Sequence, residues 1–152
     1  MFKNATSARH LLIAIGLGLA SLSSAMAQSM VSVGGSTVNM RSSPSLRSDV
    51  LWELKRGYPL RVIKRSGSWL QVSDFENDRG WVARRLTGST PHHVVKSTIA
   101  NVRKGPGTQH PIVAKADYGD TMRTLGRRGK WINVKLDSGK IGWISKGLLW
   151  GF

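Results

Sequence analysis

The chain has no cysteine among its 152 residues, and only eight of those residues are acidic. Without cysteine it can form no disulfide framework, thiolate nucleophile, cysteine-ligated zinc site or lipid anchor on an N-terminal cysteine. Long hydrophobic runs are also lacking after residue 27, so no later segment is predicted to span a bilayer as a helix. The length fits one ordinary domain or two small ones. A hydrophobic content of 40% with six tryptophans excludes a disordered basic tail.

Residues 1–27 have the features of a secretory signal peptide. Lys3 and Arg9 precede an uncharged apolar run from Leu11 to Leu22, and a stretch of small residues ends in Ala25-Met26-Ala27. The alternative, a membrane anchor, is disfavoured because a spanning helix needs roughly 20 apolar residues and this run is shorter. We therefore predict cleavage after Ala27 and a periplasmic or secreted product.

Positive charge dominates the composition. Lysine and arginine together number 23, and the formal net charge is +15. A basic exported protein is expected to attract anionic envelope polymers, such as peptidoglycan with its stem-peptide carboxylates, lipopolysaccharide or anionic lipid head groups. Export also makes nucleic acid an unexpected partner. The alternative is that the charge serves solubility alone.

Residues 30–90 and 92–152 repeat one another without a gap. Shifting the chain along itself by 62 residues aligns 13 identical pairs over 61 positions. Two of these pairs join tryptophans, Trp69 with Trp131 and Trp81 with Trp143. Such a repeat predicts two similar domains, because a unit of about 60 residues can just form its own core. We place the domains at 30–87 and 92–152, with a linker rich in Gly, Ser, Thr and Pro at 88–91.

Hydrophobic and polar residues alternate within each repeat, as in Trp69-Leu70-Gln71-Val72-Ser73. Short alternating runs separated by turn residues indicate an all-β barrel or sandwich. No stretch shows the periodicity of an amphipathic helix. The predicted strands are near 37–41, 50–54, 58–65, 69–74 and 79–83, and near 99–103, 112–116, 120–127, 131–136 and 140–145.

Both repeats carry the same series of short motifs. The first contains Val38-Asn39-Met40-Arg41, Pro44, Gly57, Trp69-Leu70-Gln71-Val72 and Gly80-Trp81-Val82. The second contains Asn101-Val102-Arg103-Lys104-Gly105-Pro106-Gly107, Gly119, Trp131-Ile132-Asn133-Val134 and Gly142-Trp143-Ile144. This series resembles the bacterial Src-homology-3 (SH3b) domain family over nearly all of residues 30–152. The first repeat differs from the family's Arg-x-Gly-Pro-Gly by reading Arg41-Ser42-Ser43-Pro44-Ser45.

The resemblance implies an all-β fold of two tandem, five-stranded SH3-like barrels. It also implies a targeting role, because domains of this family commonly bind cell-wall peptidoglycan and accompany wall hydrolases. Structural roles are implied for the shared motif residues, which are Asn39, Arg41, Pro44, Gly80, Trp81, Asn101, Arg103, Pro106, Gly142 and Trp143.

Residues suited to catalysis or metal binding are few. His92 and His93 are neighbours, so on a strand they point to opposite faces, and we interpret them as surface residues near the linker. The one carboxylate cluster falls in a predicted hairpin loop and is interpreted as solvated; it comprises Asp74, Glu76 and Asp78. Nucleophilic catalysis needs a positioned base, and glycoside hydrolysis needs two tuned carboxyls in a cleft. We expect no enzyme activity, metal site or cofactor.

Trp69 and Trp131 are the candidate ligand contacts. Leu70 and Val72 take the inward positions of the first strand, so Trp69 is predicted to face outward, and Trp131 repeats this arrangement. An indole on a polar face is a platform on which a ligand can pack. By resemblance, both align with the groove tryptophan of eukaryotic SH3 domains. The alternative is that each indole only covers the loop holding Pro44 or Pro106.

Three cations precede Trp131 in one turn and are expected to attract an anionic ligand to it: Arg127, Arg128 and Lys130. The leading hypothesis is therefore a non-enzymatic, exported envelope-binding module with peptidoglycan as its ligand. The alternative is a protein-interaction adaptor that recruits an envelope enzyme or assembly. The apolar tail from Leu148 to Phe152 is expected to cover a barrel end or the interface between the domains.

Overall fold

The computed structural model describes residues 29–152, and 14 strands within this range form two antiparallel sheets of seven strands each. We call the first sheet barrel one and the second barrel two. Barrel one comprises β1 (Met30–Val33), β2 (Thr37–Arg41), β3 (Val50–Lys55), β4 (Pro59–Ser66), β5 (Trp69–Ser73), β6 (Arg79–Ala83) and β7 (Thr87–Gly88). Barrel two comprises β8 (His92–Val95), β9 (Ile99–Arg103), β10 (Ile112–Asp117), β11 (Thr121–Arg128), β12 (Trp131–Lys135), β13 (Ile141–Ser145) and β14 (Leu149–Gly151).

The two sheets have the same strand order. In barrel one it is β3-β2-β6-β5-β4-β1-β7, and in barrel two it is β10-β9-β13-β12-β11-β8-β14. A one-turn 3₁₀ helix precedes the last strand of each, at Arg84–Leu86 and Lys146–Leu148. The all-β prediction with two tandem barrels is confirmed.

Ten of the strands lie within one residue of their predicted bounds, and four short ones were missed: β1, β7, β8 and β14. These four are only two to four residues long. A run of that length cannot show a clear alternation, so its strand character comes from pairing with neighbours that are distant in sequence. Each barrel accordingly has seven strands where the resemblance implied five.

Alternation along the strands builds the two cores. Leu70 and Val72 of β5 and their counterparts Ile132 and Val134 of β12 are at most 1% exposed. The core of barrel one contains Val33, Val38, Met40, Leu54, Leu60, Leu70, Val72 and Val82. The core of barrel two contains Val95, Ala100, Val102, Ala116, Met122, Ile132, Val134, Ile144 and Leu149. Burying this apolar surface is the main favourable term in the folding of each barrel.

The C-terminal tail packs at the interface between the barrels. Strand β14 pairs with β8 inside barrel two, so the tail completes its own sheet. On the other side, the guanidinium of Arg61 from β4 lies 5.4 Å from the centre of the Trp150 ring, a cation–π contact between the barrels. The tail was expected to cover a barrel end or the interface between the barrels, and this contact fits the second of these positions.

The predicted signal peptide at residues 1–27 lies outside the described residues. Within residues 29–152, no helix has the length and apolar character required to cross a membrane.

Candidate functional site

Trp69 borders an open groove on barrel one. The indole is half-buried and lies opposite Ser66 of β4 and Ala83 of β6, while the next residue, Leu70, is 1% exposed. The outward orientation predicted for Trp69 thus agrees with the structure. The groove has a volume of about 330 Å³. We call it the Trp69 groove; its lining residues are Ser45, Leu46, Arg47, Ser68, Trp69, Ala83 and Arg85.

The Trp69 groove combines an apolar wall with two cations. Leu46 comes from the loop between β2 and β3 and is 72% exposed, an unusual position for a leucine unless a ligand or partner covers it. Arg47 and Arg85 line the same groove and are exposed. An arginine guanidinium can donate two parallel hydrogen bonds to one carboxylate, so the groove can hold a ligand with an apolar face and acidic groups.

Trp131 occupies the same place in barrel two. It is half-buried and lies opposite Arg128 of β11 and Ser145 of β13. Residues directly opposite each other on neighbouring strands share a face of the sheet, so Arg128 stands beside the indole. Lys130 is exposed in the turn that joins β11 to β12, next to Trp131 along the chain.

Arg127 does not share that face. It lies opposite Ile132, whose side chain is fully buried, and its Nη2 donates a hydrogen bond of 2.9 Å to the carbonyl of Phe152. The cause is a β-bulge between Thr124 and Gly126, which shifts the alternation of β11 by one residue. The turn therefore presents Arg128 and Lys130 near Trp131, while Arg127 holds the C-terminal tail.

The motif arginines hold the long loop of each barrel. In barrel two, Nη1 of Arg103 donates to the carbonyls of Thr108 and His110, at 3.0 and 2.8 Å. In barrel one, Nη1 of Arg41 donates to the carbonyl of Ser48 at 2.7 Å. These loops contain Pro44, which is exposed, and Pro106, which is half-buried. We propose that both arginines serve loop structure.

Serine replaces glycine in the loop of barrel one. The hydroxyl of Ser48 donates to the carbonyls of Ser43 and Ser45, at 2.9 and 2.7 Å. Gly105 and Gly107 are buried in the matching loop of barrel two. The departure of the first repeat from the family pattern is thus accompanied by side-chain hydrogen bonds that hold the loop. Two further motif residues, Asn39 on β2 and Asn101 on β9, are half-buried.

The second pair of tryptophans lies on the same outer faces. Trp81 is half-buried opposite Gln71 and Arg41, and Nζ of Lys64 lies 5.6 Å from the centre of its ring. Trp143 is half-buried opposite Asn133 and Arg103. The residue that corresponds to Lys64 is Gly126, so Trp143 has no matching lysine at that position. Oδ1 of Asn133 is buried without a hydrogen-bond partner.

The interpretation of the linker histidines as surface residues is wrong for His93. That residue is 3% exposed, and its Nδ1 lies 2.6 Å from Oγ1 of Thr124. Burial, reinforced by the charge of Arg127, lowers the pKa of His93 to about 4. The side chain is therefore neutral at pH 7. It was missed because β8 is too short to show which of its side chains face inward.

His92 contacts a serine, but the arrangement is not that of a nucleophile and its base. Nδ1 of His92 lies 3.1 Å from Oγ of Ser32 and 2.9 Å from the carbonyl of Thr90. The hydroxyl of Ser32 donates to the same carbonyl at 2.7 Å. The single hydroxyl hydrogen of Ser32 is thus directed at the Thr90 carbonyl and not at His92, as it would be if His92 were the base for a serine nucleophile. The three groups connect the two barrels.

The acidic loop is less solvated than its sequence indicates. Asp74 is only 5% exposed, which corrects the interpretation of all three carboxylates as solvated. Its Oδ1 accepts hydrogen bonds from the backbone N–H groups of Glu76 and Asp78, both at 2.9 Å. Burial raises the pKa of Asp74. One carboxylate oxygen from each of Asp74, Glu76 and Asp78 lies within 4.8 Å of the other two. However, Oδ1 of Asp74 already accepts the two N–H hydrogen bonds, which hold the loop in its conformation.

Comparison with protein families identifies both barrels. Two family models, each described as a bacterial SH3 domain, match residues 34–88 and 97–149. Together these matches cover more than half of the chain. The chain belongs to the bacterial SH3 domain family. The two SH3 domains are in tandem, and the matched ranges follow the two sheets of the structure.

The relatives of these SH3 domains include much longer proteins. The chain is 27% identical over 130 residues to YrvJ of Bacillus subtilis (strain 168), which is assigned by name as an N-acetylmuramoyl-L-alanine amidase. It is 38% identical over 47 residues to LytH of Staphylococcus aureus, assigned by name as a cell wall amidase. The matched segments span 78% and 30% of this chain, but only 25% of YrvJ and 16% of LytH.

Solved structures include one with low similarity to this chain. NlpC1 of Trichomonas vaginalis is 18% identical to the chain, with a TM-score of 0.37 over 84% of this chain and 47% of that one.

Proposed function

We propose that this chain is a non-enzymatic binding module of the cell envelope, with peptidoglycan as its ligand. The observation that carries the proposal is the Trp69 groove, in which an exposed leucine, an indole and two arginines converge on one open surface. Ligand sites combine apolar walls with a few polar groups that fix orientation, and this groove has both. Trp131 offers a second indole with Arg128 beside it.

The chemistry of the groove fits wall material. Peptidoglycan combines sugar rings, which can pack on an indole, with stem peptides that end in carboxylates. Arg47 and Arg85 would pair with those carboxylates, and Trp69 and Leu46 would pack against the less polar parts. Without residues 1–27, which contain Lys3 and Arg9, the chain has 21 basic and eight acidic residues, and this net charge of +13 supports attraction to such a polymer over longer distances.

The relatives support the same assignment. YrvJ is named as an N-acetylmuramoyl-L-alanine amidase and LytH as a cell wall amidase, and the segments that this chain matches are small parts of both proteins. We infer that the shared part serves targeting, as the sequence resemblance implied. The protein would be exported after removal of residues 1–27, with domains at 30–87 and 92–152 joined by the linker 88–91.

A second function, that of a protein-interaction adaptor, is favoured by one feature of barrel one. Strand β3 lies at the edge of the sheet and exposes three large apolar side chains, Val50, Leu51 and Trp52, at 44–53%. An exposed apolar edge strand is a surface to which another protein can add a strand. In that case the barrels would recruit an envelope enzyme or assembly.

Replacing Trp69 or Trp131 with alanine tests the binding proposal. We expect each substitution to weaken binding to purified sacculi by roughly 30-fold, the effect of losing one aromatic anchor worth about 2 kcal/mol. Each indole is only half-buried, so the melting temperature should change little. Binding is measured by co-sedimentation over a range of protein concentrations.

Trp52→Ala is the matched control, because it removes an indole that is 53% exposed and lies outside the Trp69 groove. It should leave binding to sacculi unchanged. The proposal fails if all three variants bind as the wild type does. A loss with Trp52→Ala alone would also contradict the proposal, because it would place the wall contact on β3 instead of in the Trp69 groove.

A further inference from the structure

A cleft between the barrels collects positive charge. Its volume is about 630 Å³, and its walls come from β3 and the loop before β2 on one side and from β11 and β12 on the other. A second cavity of about 300 Å³ adjoins it and shares three of its residues, Arg56, His92 and Arg123. We call the two together the inter-barrel cleft.

Four cations line the inter-barrel cleft, two from each barrel: Lys55, Arg56, Arg123 and Lys135. All four side chains are exposed. Within residues 29–152, none of them has a carboxylate oxygen within the 4.0 Å of an ion pair. One carboxylate, that of Asp137, also lines the cleft. The cleft therefore has an excess of positive charge, which an anionic group would offset.

Another contact between the barrels involves the repeat counterparts of two cleft residues, and there the space is filled by aromatic side chains. There Tyr118, which corresponds to Arg56 in the repeat, packs on Phe75 with ring centres 5.3 Å apart and donates its hydroxyl hydrogen to Glu76. In the inter-barrel cleft the corresponding residues are Arg56 and Asp137. Corresponding positions of the repeat are thus filled by aromatic rings at one contact and line an open, cationic cleft at the other.

His92 holds the cleft in shape. Nδ1 of His92 bonds to the Thr90 carbonyl, and its ring packs so closely on Gly57 of barrel one that a Cβ at position 57 would lie 2.7 Å from Cδ2. Gly57 also has a φ of +82°, which favours glycine. The His92 ring thus has contacts on both sides of the interface, and it lies in the cleft together with Arg56 and Arg123.

We propose that the inter-barrel cleft is a binding site for a segment that carries at least two carboxylate groups. Arg56 and Arg123 would each pair with one carboxylate, because guanidinium and carboxylate match in geometry, and Lys55 and Lys135 would add attraction. The assignment of this segment to stem peptides of the wall polymer rests on the proposed function; the carboxylate site itself does not.

Calorimetric titration of the protein that begins at Gln28 with tricarballylate, a small molecule with three carboxylates, tests the proposal. We expect saturable binding to the wild type, and no binding of the neutral triamide of the same acid. The variant Arg56→Gln with Arg123→Gln should bind at least tenfold more weakly. The control is Arg79→Gln with Lys104→Gln, which removes the same charge from exposed positions outside the cleft and should change the affinity less than twofold.

Two results would overturn the proposal: no saturable binding to the wild type, or equal weakening by both double variants, which would show that overall charge alone acts. If the arginine variant melts early, Lys55→Gln with Lys135→Gln replaces it, with an expected loss of about threefold; an unchanged affinity would then refute the site. Because the probe is soluble, the result does not depend on whether the chain binds sacculi.

Discussion

Replacing Gly142 with alanine is expected to destabilise barrel two by about 3 kcal/mol, because the new methyl group has no room. Gly142 lies on β13 opposite Val134, where β13 crosses close to β9. A Cβ at this position would lie 2.5 Å from Cγ1 of Val102 and 2.7 Å from the carbonyl oxygen of Arg103. The carbonyl belongs to the backbone of a paired strand, so it cannot move without disturbing the sheet. Chemical denaturation measures the effect.

Gly80→Ala makes the same change in barrel one and should cost less, about 1–2 kcal/mol. There the nearest atoms, at 2.5 and 3.2 Å, belong to the flexible side chain of Met40, and the carbonyl of Arg41 is 3.0 Å away. Gly126→Ala is the neutral control, since nothing lies within 4 Å of a Cβ on that strand residue. Equal effects at Gly142 and Gly126 would show that the close approach of β13 to β9 is absent in solution.

Acidification is expected to lower the free energy of unfolding substantially, and we expect His93 to cause this loss of stability. Burial lowers the pKa of this imidazole from 6.5 to about 4 in the folded protein. Between these two pH values the unfolded chain binds a proton that the folded chain does not. The stabilisation is therefore complete above about pH 6.5, decreases as the pH falls to about 4, and is constant below that, with a total loss of up to about 3 kcal/mol.

His93→Gln isolates this contribution, because glutamine keeps a hydrogen-bonding group but does not titrate. We expect the difference in unfolding free energy between wild type and variant to shrink steadily from pH 7 to pH 4.5. Asp74, whose pKa is raised by burial, affects both proteins alike and cancels in the difference. A difference that stays constant with pH would mean that His93 is solvated and titrates normally.

The sequence alone predicted those strands in which hydrophobic and polar residues alternate over enough positions to show the pattern. The inward positions of Leu70, Val72, Ile132 and Val134 and the outward position of Trp69 follow from period-two alternation, and the structure agrees. The repeat also predicted two similar domains, because residues that correspond in the two repeats are expected to occupy equivalent positions in the same fold.

Features that depend on irregular pairing or on docking could not be predicted. Simple alternation along β11 would place Arg127 on the face of Trp131, but the bulge after Thr124 places Arg128 there. The burial of His93 depends on β8 pairing with β11 and β14, which are distant in sequence. Contacts between the barrels, such as Arg61 with Trp150, depend on how two units pack, and a repeat carries no information on that.

The most direct test of the account is to mix the purified protein that begins at Gln28 with protein-free sacculi and to measure two quantities in one tube. These are the protein that sediments with the wall and the soluble wall fragments that are released. We predict saturable sedimentation with no release above that of a buffer control. Sedimentation only after lysate protein is added would favour the adaptor, and release of soluble fragments would contradict the account by showing that the chain cleaves the wall.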